Sequence, residues 1–96
     1  LLLSEPPPDS FNIFYSGCSN VETPATSTVC IHHPYGDIKK ISFNSDPVYT
    51  VDNPLLASAF DSHWEVDNWE AGTTEPGSSG APLYDQNHRI VYRHLD

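Results

Sequence analysis

Methionine is absent from this sequence of 96 residues. A gene product begins with one, so the expectation is a processed product or a segment excised from a longer chain. Basic residues are scarce: 4 Lys and Arg stand against 13 Asp and Glu, a net charge of −9. Phosphate binding needs clustered cations, so nucleic acid is not an expected partner. The field would favour cationic partners instead, modestly and with salt dependence. No apolar run approaches the roughly 20 residues of a membrane helix, and no membrane partner is expected. Leu1-Leu2-Leu3 is too short for a signal peptide and has no basic flank. Cysteine is limited to Cys18 and Cys30. Their spacing fits neither a zinc knuckle nor a redox pair. A disulfide between them in an oxidising compartment and two buried free thiols both stay open.

Proline and glycine, by contrast, are frequent, at 9 and 5 residues. Such punctuation favours many short strands over long helices. The length sets one domain over residues 1–96, burying roughly 60–65% of the surface its unfolded chain exposes. No internal repeat and no low-complexity linker interrupts it. Residues 4–9 read as an extended, proline-stiffened opening. Phe11 to Tyr15 has strand composition. Ser16 to Thr26 reads as a loop, Ser27 to His32 as a strand stopped by Pro34 and Gly36. Asp37 to Phe43 alternates imperfectly with period two, as a half-exposed strand does. Pro47 to Val51 and His63 to Val66 read as two more strands. Leu55 to Phe60 alone has helical composition. Leu83-Tyr84 and Arg89 to Tyr92 form a hairpin closed by Asp85-Gln86-Asn87-His88. Six or seven short strands point to an all-β antiparallel barrel or sandwich.

The string Thr73-Thr74-Glu75-Pro76-Gly77-Ser78-Ser79-Gly80-Ala81-Pro82-Leu83 carries the chemistry. It sets a serine on a tight, glycine-flanked turn just before an apolar strand. A nucleophilic hydroxyl has to project from the backbone, with N–H groups converging where an oxyanion forms. Gly77 would let substrate approach the backbone closely, and Gly80 tolerates angles that a residue with Cβ avoids. Pro82 stiffens the exit. Gly-Ser-Ser-Gly alone also occurs in linkers; a linker would have no strand on either side.

His32 and His33 are adjacent. On a strand they point to opposite faces and cannot both face one metal, so no metal site is expected and a site of His32, His33 and Asp37 is a weak idea. Asp37 could cap the Pro-Tyr-Gly turn or accept from one imidazole. His63 has no readable role, His88 reads as solvated, and His94 carries no signal. Glu75, four residues before Ser79, suits a pocket wall or a surface better than a general base. Core packing is the default for Trp64 and Trp69. No cofactor is expected.

Two long strings in order match a known group. Ile31-His32-His33-Pro34-Tyr35-Gly36-Asp37-Ile38-Lys39-Lys40-Ile41-Ser42, then Trp64-Glu65-Val66, then Gly72 to Tyr84 resemble bacterial lysyl endopeptidases and their secreted relatives. These are chymotrypsin-fold serine endopeptidases. The resemblance runs from the leucine run to about Val91. It implies the C-terminal β-barrel of a two-barrel protease, incomplete here at both ends, secreted from a bacterium, with polypeptide substrates. It implies Ser79 as acylating nucleophile, and the backbone N–H groups of Gly77 and Ser79 as the oxyanion hole. Thr73, Thr74, Glu75 and Pro76 would line one wall of the pocket for the side chain preceding the cleaved bond.

The departures matter as much. The family takes its triad His from an Ala-Ala-His-Cys-like string, which is absent here, and its triad Asp just before a leucine-rich strand leading to prolines. Leu1-Leu2-Leu3-Ser4-Glu5-Pro6-Pro7-Pro8 looks like that strand, so the chain is expected to begin just after the Asp. Tyr92-Arg93-His94-Leu95-Asp96 stands where relatives have Gly-Gln-Leu-His-Gly-Gly. Gly17-Cys18-Ser19 stands where they often have Gly-Trp-Asp. Lysine specificity does not carry over, and Asp96 is too close to Ser79 in sequence to be the selecting aspartate. The expected state is a nucleophile-bearing half, inactive alone, with apolar surface exposed where the N-terminal barrel would pack. The alternative is a catalytically dead, protease-like binding module.

Overall fold

Seven short strands assemble through pairings that the β-branched runs of this chain permit, and a computed structural model describes them over residues 2–52 and 63–91. The strands are β1 (Cys18–Ser19), β2 (Thr28–His32), β3 (Lys40–Asn44), β4 (Tyr49–Val51), β5 (His63–Glu65), β6 (Leu83–Tyr84) and β7 (Ile90–Val91). They form a five-stranded sheet of order β1-β7-β6-β2-β3 and a two-stranded sheet of β4 and β5. The fold is all-β, as expected, and neither sheet closes on itself. Among the described pairings only β1 with β7 is parallel.

β2 and β3 pair antiparallel with Val29 opposite Phe43, Cys30 opposite Ser42 and Ile31 opposite Ile41. Alternation then sends residues of one parity to each face. The buried face is the polar one: Thr28, Cys30 and His32 from β2 meet Ser42 and Asn44 from β3, all under 7% exposed. Among the described residues the buried hydrophobic set is small, Ala25, Cys30 and Val48. Hydrogen bonds therefore do much of the specifying. Asn44 Nδ2 donates to Thr28 Oγ1 (3.2 Å) and to the Asp46 carbonyl (2.8 Å), and Asn44 Oδ1 accepts from the Asp46 N–H (3.0 Å). Among the described residues, no buried side-chain N or O lacks a partner, as buried polar groups require. The apolar face is the open one. Val29, Ile31, Ile41, Phe43 and Tyr84 line a shallow cavity of about 410 Å³ with Phe14 at its rim.

Several expected elements shift. Phe11 to Tyr15 forms no strand; Asp9–Phe11 is a single 3-10 turn, and Phe11, Phe14 and Tyr15 are 68%, 87% and 77% exposed. Strand composition does not by itself provide a pairing partner, and this segment joins neither sheet. β3 starts at Lys40 rather than Asp37, because Pro34–Gly36 is a 3-10 turn closed by the Asp37 N–H on the Pro34 carbonyl (2.9 Å). The loop between Ser16 and Thr26 contains the two-residue β1. The β6–β7 hairpin forms as read, with the buried Asp85 carboxylate accepting from the N–H groups of Asn87 and Arg89 (both 2.9 Å). Leu55 to Phe60, His94 and Asp96 lie outside the described residues.

Cys18 and Cys30 are free thiols, so the disulfide left open by their spacing is not formed. The cause is strand order. β7 and β6 lie between β1 and β2; three inter-strand steps of ~4.8 Å separate the two by roughly 14 Å, about twice the Cα separation a disulfide spans. Nor are both thiols buried: Cys18 is exposed.

Candidate active site

The segment after Trp69 reaches the serine string by way of the open edge of β3. Phe43 N–H donates to the Ala71 carbonyl (2.9 Å) and Glu70 N–H to the Phe43 carbonyl (3.0 Å). The Glu70 carboxylate clamps the same edge, accepting from the Ser45 N–H (2.8 Å) and hydroxyl (2.9 Å). Those two bonds, the backbone one first, hold the Glu70 carboxyl below its usual pKa.

Two reverse turns then follow without a gap. Glu75-Pro76-Gly77-Ser78 is closed by Ser78 N–H on the Glu75 carbonyl (3.0 Å), and Ser78-Ser79-Gly80-Ala81 by Ala81 N–H on the Ser78 carbonyl (3.1 Å). Each has a glycine of positive φ in its third position, Gly77 at 95° and Gly80 at 84°, the signature of a type II turn. Pro76 presets the second position of the first turn. The two glycines answer different demands. A Cβ on Gly80 would meet nothing within 4 Å. One on Gly77 would lie 3.1 Å from the nitrogens of Tyr35 and Gly36 and 3.2 Å from the His33 carbonyl. Gly77 was expected to admit substrate; what lies flat against it is the chain's own 33–36 turn. Tyr35 N–H donates to the Pro76 carbonyl (2.6 Å) and completes that dock.

Ser79 is exposed at the corner of the second turn. Among the described residues its hydroxyl has no hydrogen-bond partner, and the N–H groups of Gly77 and Ser79 have none either, while the Ser78 N–H between them is engaged. Ser78 and Ser79 border a cleft of about 540 Å³ with Thr74, Glu75, Pro76, Trp64, Glu65, Val66, Trp69, Cys30, Ala81 and Leu83. Three of the four expected wall residues are there. Thr73 is not: its carbonyl turns inward to accept from the Ser42 hydroxyl (3.2 Å). The two tryptophans, expected as core, are half-buried cleft walls; nothing in their spacing signals it, because β5 and the strand-edge crossing at Phe43 bring them round. Cys30, also on the wall, has a thiol pKa raised by burial.

The adjacent histidines separate as strand geometry requires. His33 is exposed, and its Nδ1–H donates to the Asp37 carbonyl (3.0 Å). The Asp37 carboxylate accepts from the Ile38 N–H (2.8 Å) and lies 3.8 Å from the Lys40 ammonium. Both residues brace a turn. His32 is 2% exposed and reaches the serine loop: Nδ1 is 2.8 Å from Ser78 Oγ, and Nε2 is 3.0 Å from Ser42 Oγ. No local sequence pattern signals that contact, which joins residues 46 positions apart. His88 is exposed in the hairpin, as read.

A second cavity, of about 310 Å³, is bordered by Ser19, Val48, Trp64, Asp85 and Arg89. It holds neither a histidine nor a glycine-flanked turn, and its carboxylate is spent on the hairpin. The serine cleft brings together an exposed hydroxyl, two N–H groups without an internal partner on consecutive turns, and an aromatic wall. A protein-family model described as lysyl endopeptidase, C-terminal domain, matches residues 1–95.

Proposed function

The chain belongs to the lysyl endopeptidase C-terminal domain family, and from that membership, which gives it a protease-related function, we propose that Ser79 is the acylating nucleophile of a serine endopeptidase. The observation that carries this reading is the double turn around Ser79. Its hydroxyl is exposed over the cleft, and the N–H groups of Gly77 and Ser79 are free of internal partners. In the reaction, Ser79 Oγ attacks a peptide carbonyl. The negative charge developing on the carbonyl oxygen is bound by the two N–H groups, each worth about 3 kcal/mol of transition-state stabilisation. The amine leaves, and water releases the acyl group from Ser79.

Attack needs a base for the Ser79 proton. His32, the imidazole bonded to this loop, is buried and committed to Ser78 and Ser42. On this reading the base, and the acid that orients it, come from an N-terminal barrel in the full-length protein. The open apolar face of Val29, Ile31, Ile41 and Phe43 is of the kind that packing against further chain would cover. The isolated 96-residue chain is accordingly proposed to be inactive. Thr74, Glu75, Pro76 and the tryptophans would seat the substrate side chain. We place the parent protein outside the bacterial cell, on the family resemblance alone.

The test is peptide hydrolysis by the full-length protein and its Ser79→Ala variant. Loss of a nucleophile in such a unit lowers kcat on the order of 10⁴-fold or more. Undiminished hydrolysis in the variant would remove Ser79 from the role. Binding of peptide without hydrolysis by the intact protein would assign a binding module instead.

A further inference from the structure

Each partner in the contacts around His32 has one direction open to it. Ser42 Oγ–H is spent on the Thr73 carbonyl (3.2 Å), so toward His32 the Ser42 oxygen can only accept, and Nε2 must carry the proton. Neutral imidazole then leaves Nδ1 as an acceptor, and Ser78 Oγ–H donates to it across 2.8 Å. Ser78 Oγ in turn accepts the Glu75 N–H (3.3 Å). The result is one unbroken polarity: Glu75 N–H to Ser78, Ser78 to His32, His32 to Ser42, Ser42 to the Thr73 carbonyl. Both ends of this chain of bonds lie on the serine loop, and its middle lies on the paired strands β2 and β3. The loop is thus tied at Thr73 and Ser78 to the paired strands β2 and β3, and Glu75 is tied to Ser78 within the loop.

We propose that His32 is a positioning residue for the serine turn: acting through Ser78, it holds the Gly77–Ser79 backbone in the conformation that leaves two N–H groups free. This rests on the reading of Ser79 as nucleophile. Ser78 sits between those two N–H groups, and its side chain is the only part of the double turn fastened by a side-chain hydrogen bond among the described residues. Without it, the peptide units on either side of Ser78, the second of which carries the Ser79 N–H, have only their turn bonds to fix them, while the Pro76–Gly77 unit, which carries the Gly77 N–H, keeps its bond from Tyr35. Substrate would still enter the cleft, whose walls are Thr74, Glu75, Pro76 and the tryptophans; the loss would fall on the chemical step.

Two conservative replacements separate the two ends of the imidazole. Asparagine at position 32 puts an amide oxygen near the place of Nδ1 and keeps the acceptor for Ser78. Glutamine puts its amide nitrogen near the place of Nε2 and keeps the donor for Ser42. The experiment measures kcat and KM for peptide hydrolysis by the full-length protein carrying Ser78→Ala, His32→Asn, His32→Gln or Ser79→Ala, each matched to its urea midpoint. The expected result is a kcat about 10–100-fold lower in Ser78→Ala, the scale of a sub-ångström to 1 Å misplacement, with KM changed less than about threefold. His32→Asn should retain at least about ten times the kcat of His32→Gln at comparable stability. Equal kcat for His32→Asn and His32→Gln, or parent-like kcat in Ser78→Ala, would overturn the proposal. Loss in proportion to stability alone would overturn it too, making His32 a purely structural residue. Ser79→Ala keeps the two questions apart: if it stays active, the nucleophile assignment fails whatever the His32 variants do.

Discussion

Replacing Gly77 by alanine tests how the serine turn is held, because its cost divides into parts that Gly80→Ala measures separately. Both glycines have positive φ, 95° and 84°, and an L-residue there costs about 1–2 kcal/mol. Both substitutions also stiffen the unfolded chain, a gain of about 0.4–1 kcal/mol that cancels in the comparison. The difference is space. The new methyl at position 80 meets nothing within 4 Å, whereas at position 77 it stands 3.1, 3.1 and 3.2 Å from three backbone atoms of residues 33–36. Backbone cannot rotate away as a side-chain tip can, so the turn must lift off its neighbour, an overpacking cost of about 1–3 kcal/mol. The Tyr35–Pro76 hydrogen bond stretches with it. Gly77→Ala should therefore destabilise by about 1–3 kcal/mol more than Gly80→Ala, read as the difference between their urea midpoints at constant m. Against a domain stability on the order of 5–15 kcal/mol the difference is easily measured. Equal midpoints, or a larger loss in Gly80→Ala, would refute the claim that the 33–36 turn is the platform for the serine turn.

Other consequences are measurable on the same protein. Tyr49 donates to the Glu65 carboxylate (3.0 Å) and lies beside Asp67, which together push its phenol up to about 12; ultraviolet titration should show one tyrosine ionising late, and Glu65→Gln should bring it back toward 10. Because that folded pKa is raised, its contribution to stability is full below pH 10 and fades as pH climbs toward 12. Glu70 has the opposite sign: its pKa is lowered by Ser45, so its contribution is present above the ordinary carboxylate pKa and is lost as pH falls through the folded value. Glu70→Gln should flatten the acid side of the stability curve; an unchanged curve would remove the clamp from the account. Cys18 should react with a thiol reagent in the native protein and Cys30 only on unfolding, given burial and a raised pKa at Cys30. A native protein with no reactive thiol at Cys18 would contradict the strand order that separates the two.

The elements most legible in the sequence were those whose partners lie close along the chain. β2 and β3 are joined by the Pro34–Gly36 turn, and β6 and β7 by the Asp85–His88 hairpin, so local turn chemistry and strand composition suffice. Phe11–Tyr15 has the composition of a strand without a partner, and pairing cannot be read from one segment. The polarity of the β2–β3 sheet was hidden for a different reason. A period-two pattern says which residues share a face, not which face is covered, and here Thr28, His32, Ser42 and Asn44 are inside while Ile31, Ile41 and Phe43 are outside. At the site, the serine turn is legible because its residues are contiguous, and three of the four wall residues that the family resemblance implies border the cleft. Trp64 arrives from β5 and Trp69 from the segment beyond it, and His32 crosses 46 positions to reach Ser78. No local pattern records such distances. Thr73 is a wall residue in the family resemblance; here its carbonyl accepts from the Ser42 hydroxyl and it does not border the cleft.

The role proposed for Ser79, on the double turn, is that of the reacting group. It is tested most directly by treating the full-length protein with a fluorophosphonate and mapping the modified peptide by mass spectrometry. A single adduct is expected, on Ser79 and not on its neighbour Ser78, whose hydroxyl is committed to His32, with no labelling of the Ser79→Ala variant. An adduct on Ser78 or on another serine, or labelling that survives Ser79→Ala, would contradict it.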